Sequence, residues 1–235
     1  NILIMLFLIF VTVYPMYYVV VASFSDPLLI RSHTGPLFRI LGEPTLQGYQ
    51  KTLSNKSLYT GFKNTLFYLF VGTSLQLLLT SLAAYVLSRK NFMIRRGVMK
   101  MFIFTMFFNG GLIPMFFAIR NTGGYNTIWV SSIPYAISAY NMIIMRTFFE
   151  TIPESLEEAA IIDGANDFTV FSKVILPLSK PIIAVMVLYY GVGQWNSWFP
   201  AAMFTRDRKL YPLQMILREI LIENQAQSAD NLTAA

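Results

Sequence analysis

Between Arg146 and Lys180 the chain sets Glu150, Glu154, Glu157, Glu158, Asp163 and Asp167 among strong helix formers, with a long apolar run on either side. Acids at this density beside apolar runs could serve catalysis or contact with a partner. Catalysis finds little support elsewhere in the sequence. There is no cysteine, which excludes disulfides, iron–sulfur clusters and thiol chemistry, and the single histidine, His33, leaves little for metal ligation or acid–base work. No paired carboxylates fall inside the apolar runs, so a membrane-embedded enzyme has almost no parts, and no metal site is expected. What remains is charged contact with something outside the membrane.

Local chemistry gives this acidic segment a shape. Pro153-Glu154 suits the first turn of a helix, where proline loses no bond and acids are favoured by the helix dipole. Glu154 to Ile162 should form a short helix, with Ala159 and Ala160 as a flat patch that another surface can approach closely. Gly164 then permits a sharp change of direction. Phe168, Phe171, Val174, Ile175 and Leu176 form an apolar return stretch, and Pro177 and Pro181 bracket the entry to the next run. The segment reads as a helix lying across the membrane surface; an ordinary solvated loop helix is the alternative.

The surrounding elements are set by composition. The chain is 55% hydrophobic and 13% charged, with mean hydropathy +0.52, which places it among membrane proteins. Its net charge of +6 does not point to nucleic acid, because the basic residues cluster beside apolar runs. Five runs approach the roughly 20 residues that cross the hydrocarbon as helix. They are 2–23 (with Pro15 inside), 65–88, 101–119, 127–145 and 181–200. The first is too long for a signal-peptide core and lacks a cleavage signature, so it is taken as a true span whose lead-in lies beyond the given sequence. The spans predict an all-α bundle, since backbone groups in lipid must pair internally.

Arg89, Lys90, Arg95, Arg96 and Lys100 crowd one short loop without an acid, which makes that loop cytoplasmic. Counting from it puts residues 25–61 and 120–126 outside and returns the acidic loop to the cytoplasm. Arg31, Arg39, Lys51 and Lys56 then lie outside, on a long loop where the charge rule is weaker. The segment after the fifth span is also outside. There Leu213, Ile216, Leu217, Ile220 and Leu221 recur at amphipathic-helix spacing, with Gln214, Arg218 and Glu219 opposite, ahead of a polar tail from Glu223 to Ala235. That helix either packs on the bundle and membrane surface or docks an external partner.

These residues resemble a known family. Glu158-Ala159-Ala160, Gly164 after three residues, and Val174-Ile175-Leu176-Pro177 after nine more resemble the EAA loop of ABC-importer permeases, with Val174 where isoleucine is usual. Asp163-Gly164-Ala165, Phe171, Phe108 to Pro114 and Trp195 to Phe199 narrow the resemblance to the carbohydrate branch of the MalG type, close to permeases for complex oligosaccharides. It spans roughly Gly61 to Glu223. The resemblance implies the type I importer permease fold, with one membrane domain over 1–235, a cytoplasmic coupling loop at 147–180 and an external loop with its helix at 201–235. It implies that Glu158, Ala159, Ala160, Asp163 and Gly164 contact an ATP-binding subunit. ATP and magnesium would be held by that separate subunit, in keeping with the absence here of a Gly-x-x-x-x-Gly-Lys-Ser/Thr loop. The implied partners are a second, similar permease, a pair of ATP-binding subunits, an extracytoplasmic solute-binding protein and a sugar or oligosaccharide, in a bacterial inner membrane. A sixth span is implied beyond residue 235. The external helix, through Leu213, Leu217 and Arg218, would then face the binding protein.

The translocation path is marked by polar and aromatic groups in apolar surroundings: Asn109, Gln194, Trp195 and Asn196. They either line a watery path or bond neighbouring helices and anchor the membrane interface. Gly110, Gly111 and Pro114 should interrupt the third run. Gly72, Ser74, Ala83 and Ala84 are small enough to form the surface for the second permease. A secondary transporter working without ATP is the competing class, though the inverted repeat of broken helices it would need is not visible. An importer permease for a non-sugar solute is the other alternative.

Overall fold

The computed structural model describes residues 1–233, with side-chain surroundings through Glu223; the rest of the expected polar tail falls outside the described side chains. Every regular element among the described residues is helical. The residues group into two compact units, Asn1–Tyr59 and Thr60–Ala235.

In the first unit, α1 (Ile2–Phe24) is one unbroken apolar helix despite Pro15. Its aliphatic side chains point outward, from Ile2 to Val20, as a lipid-facing helix requires. The loop that follows folds back on its last turns. Tyr14 Oη accepts from the Leu37 amide at 2.8 Å, and Tyr17 Oη donates to the Phe38 carbonyl at 2.8 Å. Two short helices complete the unit, α2 (Pro27–Ser32), capped by Asp26, and α3 (Gln47–Ser54).

The second unit is organised on residues 60–88 of α4 (Lys56–Ser88), a helix of 33 residues carrying one π-turn at Tyr68–Gly72. Its burial pattern is the reverse of a water-soluble helix. Thr65, Thr73, Gln76, Thr80, Ser81 and Ser88 face inward, while Phe67, Phe70, Leu78 and Val86 face outward. Lipid solvates the apolar face as well as a protein core would, so polar groups gain most by turning to each other. Thr80 and Tyr190 do so across the bundle, hydroxyl to hydroxyl at 2.6 Å.

Of the other expected runs, the fourth and fifth reach membrane length only as bent helix pairs, and the third is two shorter helices. The third run divides into α5 (Arg95–Phe107) and α6 (Leu112–Asn121). Gly111 stands between them at φ +86, a left-handed conformation. Asn109 Oδ1 accepts from the Gly111 amide at 2.9 Å, and so competes with the helix ladder. The interruption expected at Gly110, Gly111 and Pro114 is therefore a full break, and at 13 residues α5 is about 20 Å long, short of the hydrocarbon thickness. The fourth run opens with 3-10 turns at Ile128–Ser131 and Ile133–Tyr135, then bends 53° into α7 (Ala139–Phe149). Pro134 and the Ser131-Ser132 pair explain the loose start. The acidic loop carries α8 (Glu154–Ile162) and α9 (Asp167–Leu178), and α9 meets α10 (Lys180–Trp195) at 84°. Pro181 falls in the first turn of α10, where its missing N–H costs no bond. After α10 come α11 (Phe199–Phe204) and α12 (Leu213–Thr233).

The core joins α4, α7, α9 and α10 through Ala84, Tyr85, Met142, Met145, Phe149, Val170, Ile175 and Met186. Ala84 is fully buried here, and Gly72 is closed in by Gln194 and Ser132 of the same chain. Both therefore serve this chain's own packing, not the surface for a second permease expected of them. Ser74 remains exposed and Ala83 half-buried.

Candidate functional site

The basic loop and the acidic loop meet at one end of the second unit. Glu157 pairs with Arg89, Glu154 with Lys90 at 2.8 Å, and Glu150 with both Arg146 and Arg95, the latter at 3.8 Å. The acidic loop's side follows from the basic loop's by counting two spans, and their ion pairing agrees with that count by putting both loops on one side. It also changes the meaning of the acids. Three of the six expected to reach a partner are used inside the chain. Partial burial pushes the Arg89 guanidinium down from its ordinary value, opposed by Tyr85, Glu154 and Glu150. The exposed Glu154 carboxyl is held below its usual range, first by the hydrogen bond from Lys90 and then by that ammonium's charge. Between the loops lies a groove of about 490 Å3, lined by Arg89, Lys90, Asn91, Glu157, Glu158 and Ile161 among others.

Helix α8 ends in a complete Schellman motif. The Gly164 amide donates to the Ile161 carbonyl and the Ala165 amide to the Ala160 carbonyl, both at 2.9 Å. Gly164 sits at φ +84, a region that side chains disfavour, and no atom lies within 4 Å of where its Cβ would be. Ala160 and Ala165, one on each side of the turn, pack against the core. Ala160 is therefore not part of an outward patch: a larger side chain would lift α8 from the bundle. Ala159, Glu158, Asp163 and Gly164 are exposed. Glu158 makes no ion pair with any described residue. Beside them Ile162 is 85% and Phe168, the first residue of the apolar return stretch, 71% exposed.

The expected path residues do not converge. Asn109 is exposed and bonded only locally, and Asn196 Nδ2 donates back to the Val192 carbonyl at 2.9 Å. Trp195 packs edge-on against Phe62 at 6.3 Å. Gln194 alone is buried, donating from Nε2 to the Ser131 carbonyl at 3.2 Å. The expected docking residues are largely engaged within the chain. The Leu213 amide donates to Thr65 Oγ1 at 2.8 Å, and Arg218 stacks on Trp198, 3.4 Å from the ring centroid. Leu217 is exposed. The start of α12 is tied further to α4 by Asn64 Nδ2, which donates to the Lys209 and Tyr211 carbonyls at 2.6 and 3.0 Å. Tyr68 Oη donates to the Leu210 carbonyl at 2.8 Å. These ties join residues some 145 positions apart, and no periodicity could have revealed them.

Residues 76–227 match the family described as binding-protein-dependent transport system inner membrane component. The chain is 36% identical over 223 residues to the polygalacturonan/rhamnogalacturonan transport system permease protein YtcP of Bacillus subtilis, covering 94% of this chain and 76% of that one. It is 30% identical over 207 residues to the trehalose/maltose transport system permease protein MalG of Thermococcus litoralis, covering 85% and 72%. A crystal structure of a bacterial ABC transporter involved in import of the acidic polysaccharide alginate contains a chain with the same fold. The TM-score is 0.90 at 32% identity, covering 99% of this chain and 84% of that one. A bundle with two ion-paired loops at one end, matched over this length, makes the chain a member of the inner-membrane components of binding-protein-dependent transport systems, a permease subunit of an ABC importer and a transport component, not an enzyme.

Proposed function

We propose that this chain forms part of the path by which an ABC importer passes an oligosaccharide into the cytoplasm, with α8 receiving the motion of separate ATP-binding subunits. The observation that carries the coupling role is the two-sided build of α8. One side is fixed to the spans, by Ala160 and Ala165 in the core and by the pairs of Glu157 with Arg89 and Glu154 with Lys90. The other side presents Glu158, Ala159, Ile162 and Asp163 with no partner within the chain's described contacts. A lever needs both: a rigid attachment to what moves and a free face for what drives it. Exposed isoleucine next to unpaired acids suits a partially apolar cleft with a basic rim.

In this reading the chain works beside a second permease in a bacterial inner membrane, which it crosses several times. ATP and magnesium belong to the ATP-binding pair, and an extracytoplasmic protein delivers the sugar. The substrate class rests on the saccharide names carried by the similar permeases and by the alginate importer. The test uses the complete importer in proteoliposomes, offered galacturonate oligomers, alginate oligomers, maltose, trehalose and, as a non-sugar, glutamine. ATP-dependent uptake of at least one saccharide is expected. Uptake of glutamine alone would refute the saccharide reading. Glu158→Lys in the same complex should depress uptake and sugar-stimulated ATP hydrolysis together, because a like charge at a protein contact costs several kcal/mol. Full retention of both would remove Glu158 from the coupling face.

A further inference from the structure

The bases of the loop between α4 and α5 divide into two groups. Arg89, Lys90 and Arg95 are each paired with a carboxylate of the acidic loop, on Glu157, Glu154 and Glu150. Arg96 and Lys100 form no ion pair with any described residue, and both are exposed. They stand four positions apart on α5, a spacing that brings two side chains together on one face. Like charges so placed destabilise a helix unless an anion answers them. Val98, Met99 and Phe102 turn a different side of α5 to the core, so the two free cations face away from the bundle.

The same face continues as bare apolar surface. Ile103 and Phe107 follow Arg96 and Lys100 along it, with Phe104 beside them, and all three are exposed, Phe107 by 77%. Just ahead of the cations the loop puts out Met93, 97% exposed, and Ile94. No atom lies within 4 Å of where a Cβ on Gly97 would be, so the surface between the two cations is open. At 1.5 Å per residue, the face passes from Arg96 to Ile103, from charge to hydrocarbon, in about 10 Å. An anionic phospholipid has the same order, a phosphate and then acyl chains. A soluble acidic partner or a free phosphate would answer the cations and leave the apolar half bare. Depth is also at issue, because α5 is shorter than the hydrocarbon and its apolar length alone does not fix its level. Long basic side chains held at the phosphates do fix it.

We infer that this face of α5 binds an anionic phospholipid of the cytoplasmic leaflet, its phosphate held by Arg96 and Lys100 and its acyl chains laid along Ile103, Phe104 and Phe107. The inference rests on the cytoplasmic side of the loop and is independent of the solute carried. One loop then holds α8 with three of its bases and the lipid surface with the other two.

The test places the complete importer in phosphatidylcholine vesicles with an equal trace of phosphatidylglycerol or phosphatidylcholine, each carrying a photoreactive acyl chain. Labelling of residues 93–107 is read by mass spectrometry. The phosphatidylglycerol probe should label this segment about tenfold more than the phosphatidylcholine probe, since each base near an anionic headgroup favours it about fivefold at most. Arg96→Gln combined with Lys100→Gln should bring the ratio below about twofold, and Arg96→Lys combined with Lys100→Arg should leave it within about twofold of the wild type. Lys173→Gln, which removes an exposed base from α9, should not change it. If the glutamine pair disturbs assembly, the wild type still decides, because about 0.5 M salt should cut its ratio at least threefold. Equal labelling by the two probes would leave an ordinary lipid-facing helix and overturn the site. Labelling by neither would mean that a protein surface, such as a second permease, covers this face. Loss of the preference in about 10 mM inorganic phosphate would reduce it to an ion site. Reaction of Arg95→Cys with an outside reagent would instead overturn the sidedness on which the leaflet rests.

Discussion

Replacing Gly164 separates two reasons for a glycine, the shape of the turn and the closeness of a partner. At φ +84 a residue with a Cβ pays about 1–2 kcal/mol in left-handed strain, and asparagine less. The alternative, unwinding the turn, forfeits the two bonds from Gly164 and Ala165, each about 0.5–1.5 kcal/mol. The two costs are similar, so the turn should be strained and frayed but not abolished. A shift of 1–2 kcal/mol raises the open population by a factor of roughly 5–30. Hydrogen exchange at residues 164 and 165 reads this directly. In the permease without its ATP-binding subunits, Gly164→Ala and Gly164→Leu should exchange faster by similar factors, because no atom of the chain lies within 4 Å of the Cβ position. Gly164→Asn should stay within about threefold of the wild type, as expected of a residue that tolerates this conformation. In the assembled importer the two should part, with Gly164→Leu losing far more uptake than Gly164→Ala if a partner surface covers the turn. Wild-type exchange in Gly164→Ala would refute the strain argument. Equal uptake by the alanine and leucine variants in the complex would refute the contact.

Other outcomes follow from single contacts. Gly61→Ala puts a Cβ 2.5 Å from Ile216 Cδ1 and 3.2 Å from the Leu213 backbone, so it should loosen the start of α12 by about 1–3 kcal/mol, seen as faster exchange over 213–216. The tie between Lys90 and Glu154 belongs to a carboxyl whose pKa is lowered on folding. It should therefore be intact above the ordinary carboxylate range and lost as pH falls through the lowered value, with amide protection in the first turn of α8 steady from about pH 8 to 5 and falling below about pH 4. With no native cysteine in the chain, Arg95→Cys should resist an impermeant thiol reagent applied outside intact cells, and Lys209→Cys should react. Labelling of the first from outside would reverse the span count.

Composition and spacing carried the class and the acidic loop, because each depends on local rules. A helix in lipid must be long and apolar, and a short acidic helix ends where glycine can turn left-handed. The interruption near Gly110 and Gly111 was legible for the same reason. Direction of facing was not. Ala159 and Ala160 are identical neighbours in sequence, yet one is exposed and the other supports the core, since a helix turns 100° per residue and only packing fixes its phase. Gly72 and Ala84 were assigned to a partner's surface but are consumed by this chain's own core, because small residues permit close approach without saying to what. Glu150, Glu154 and Glu157 found partners on a basic loop some 60 residues away. A pair of charges is a property of two positions brought together, and only the tertiary structure decides which positions those are.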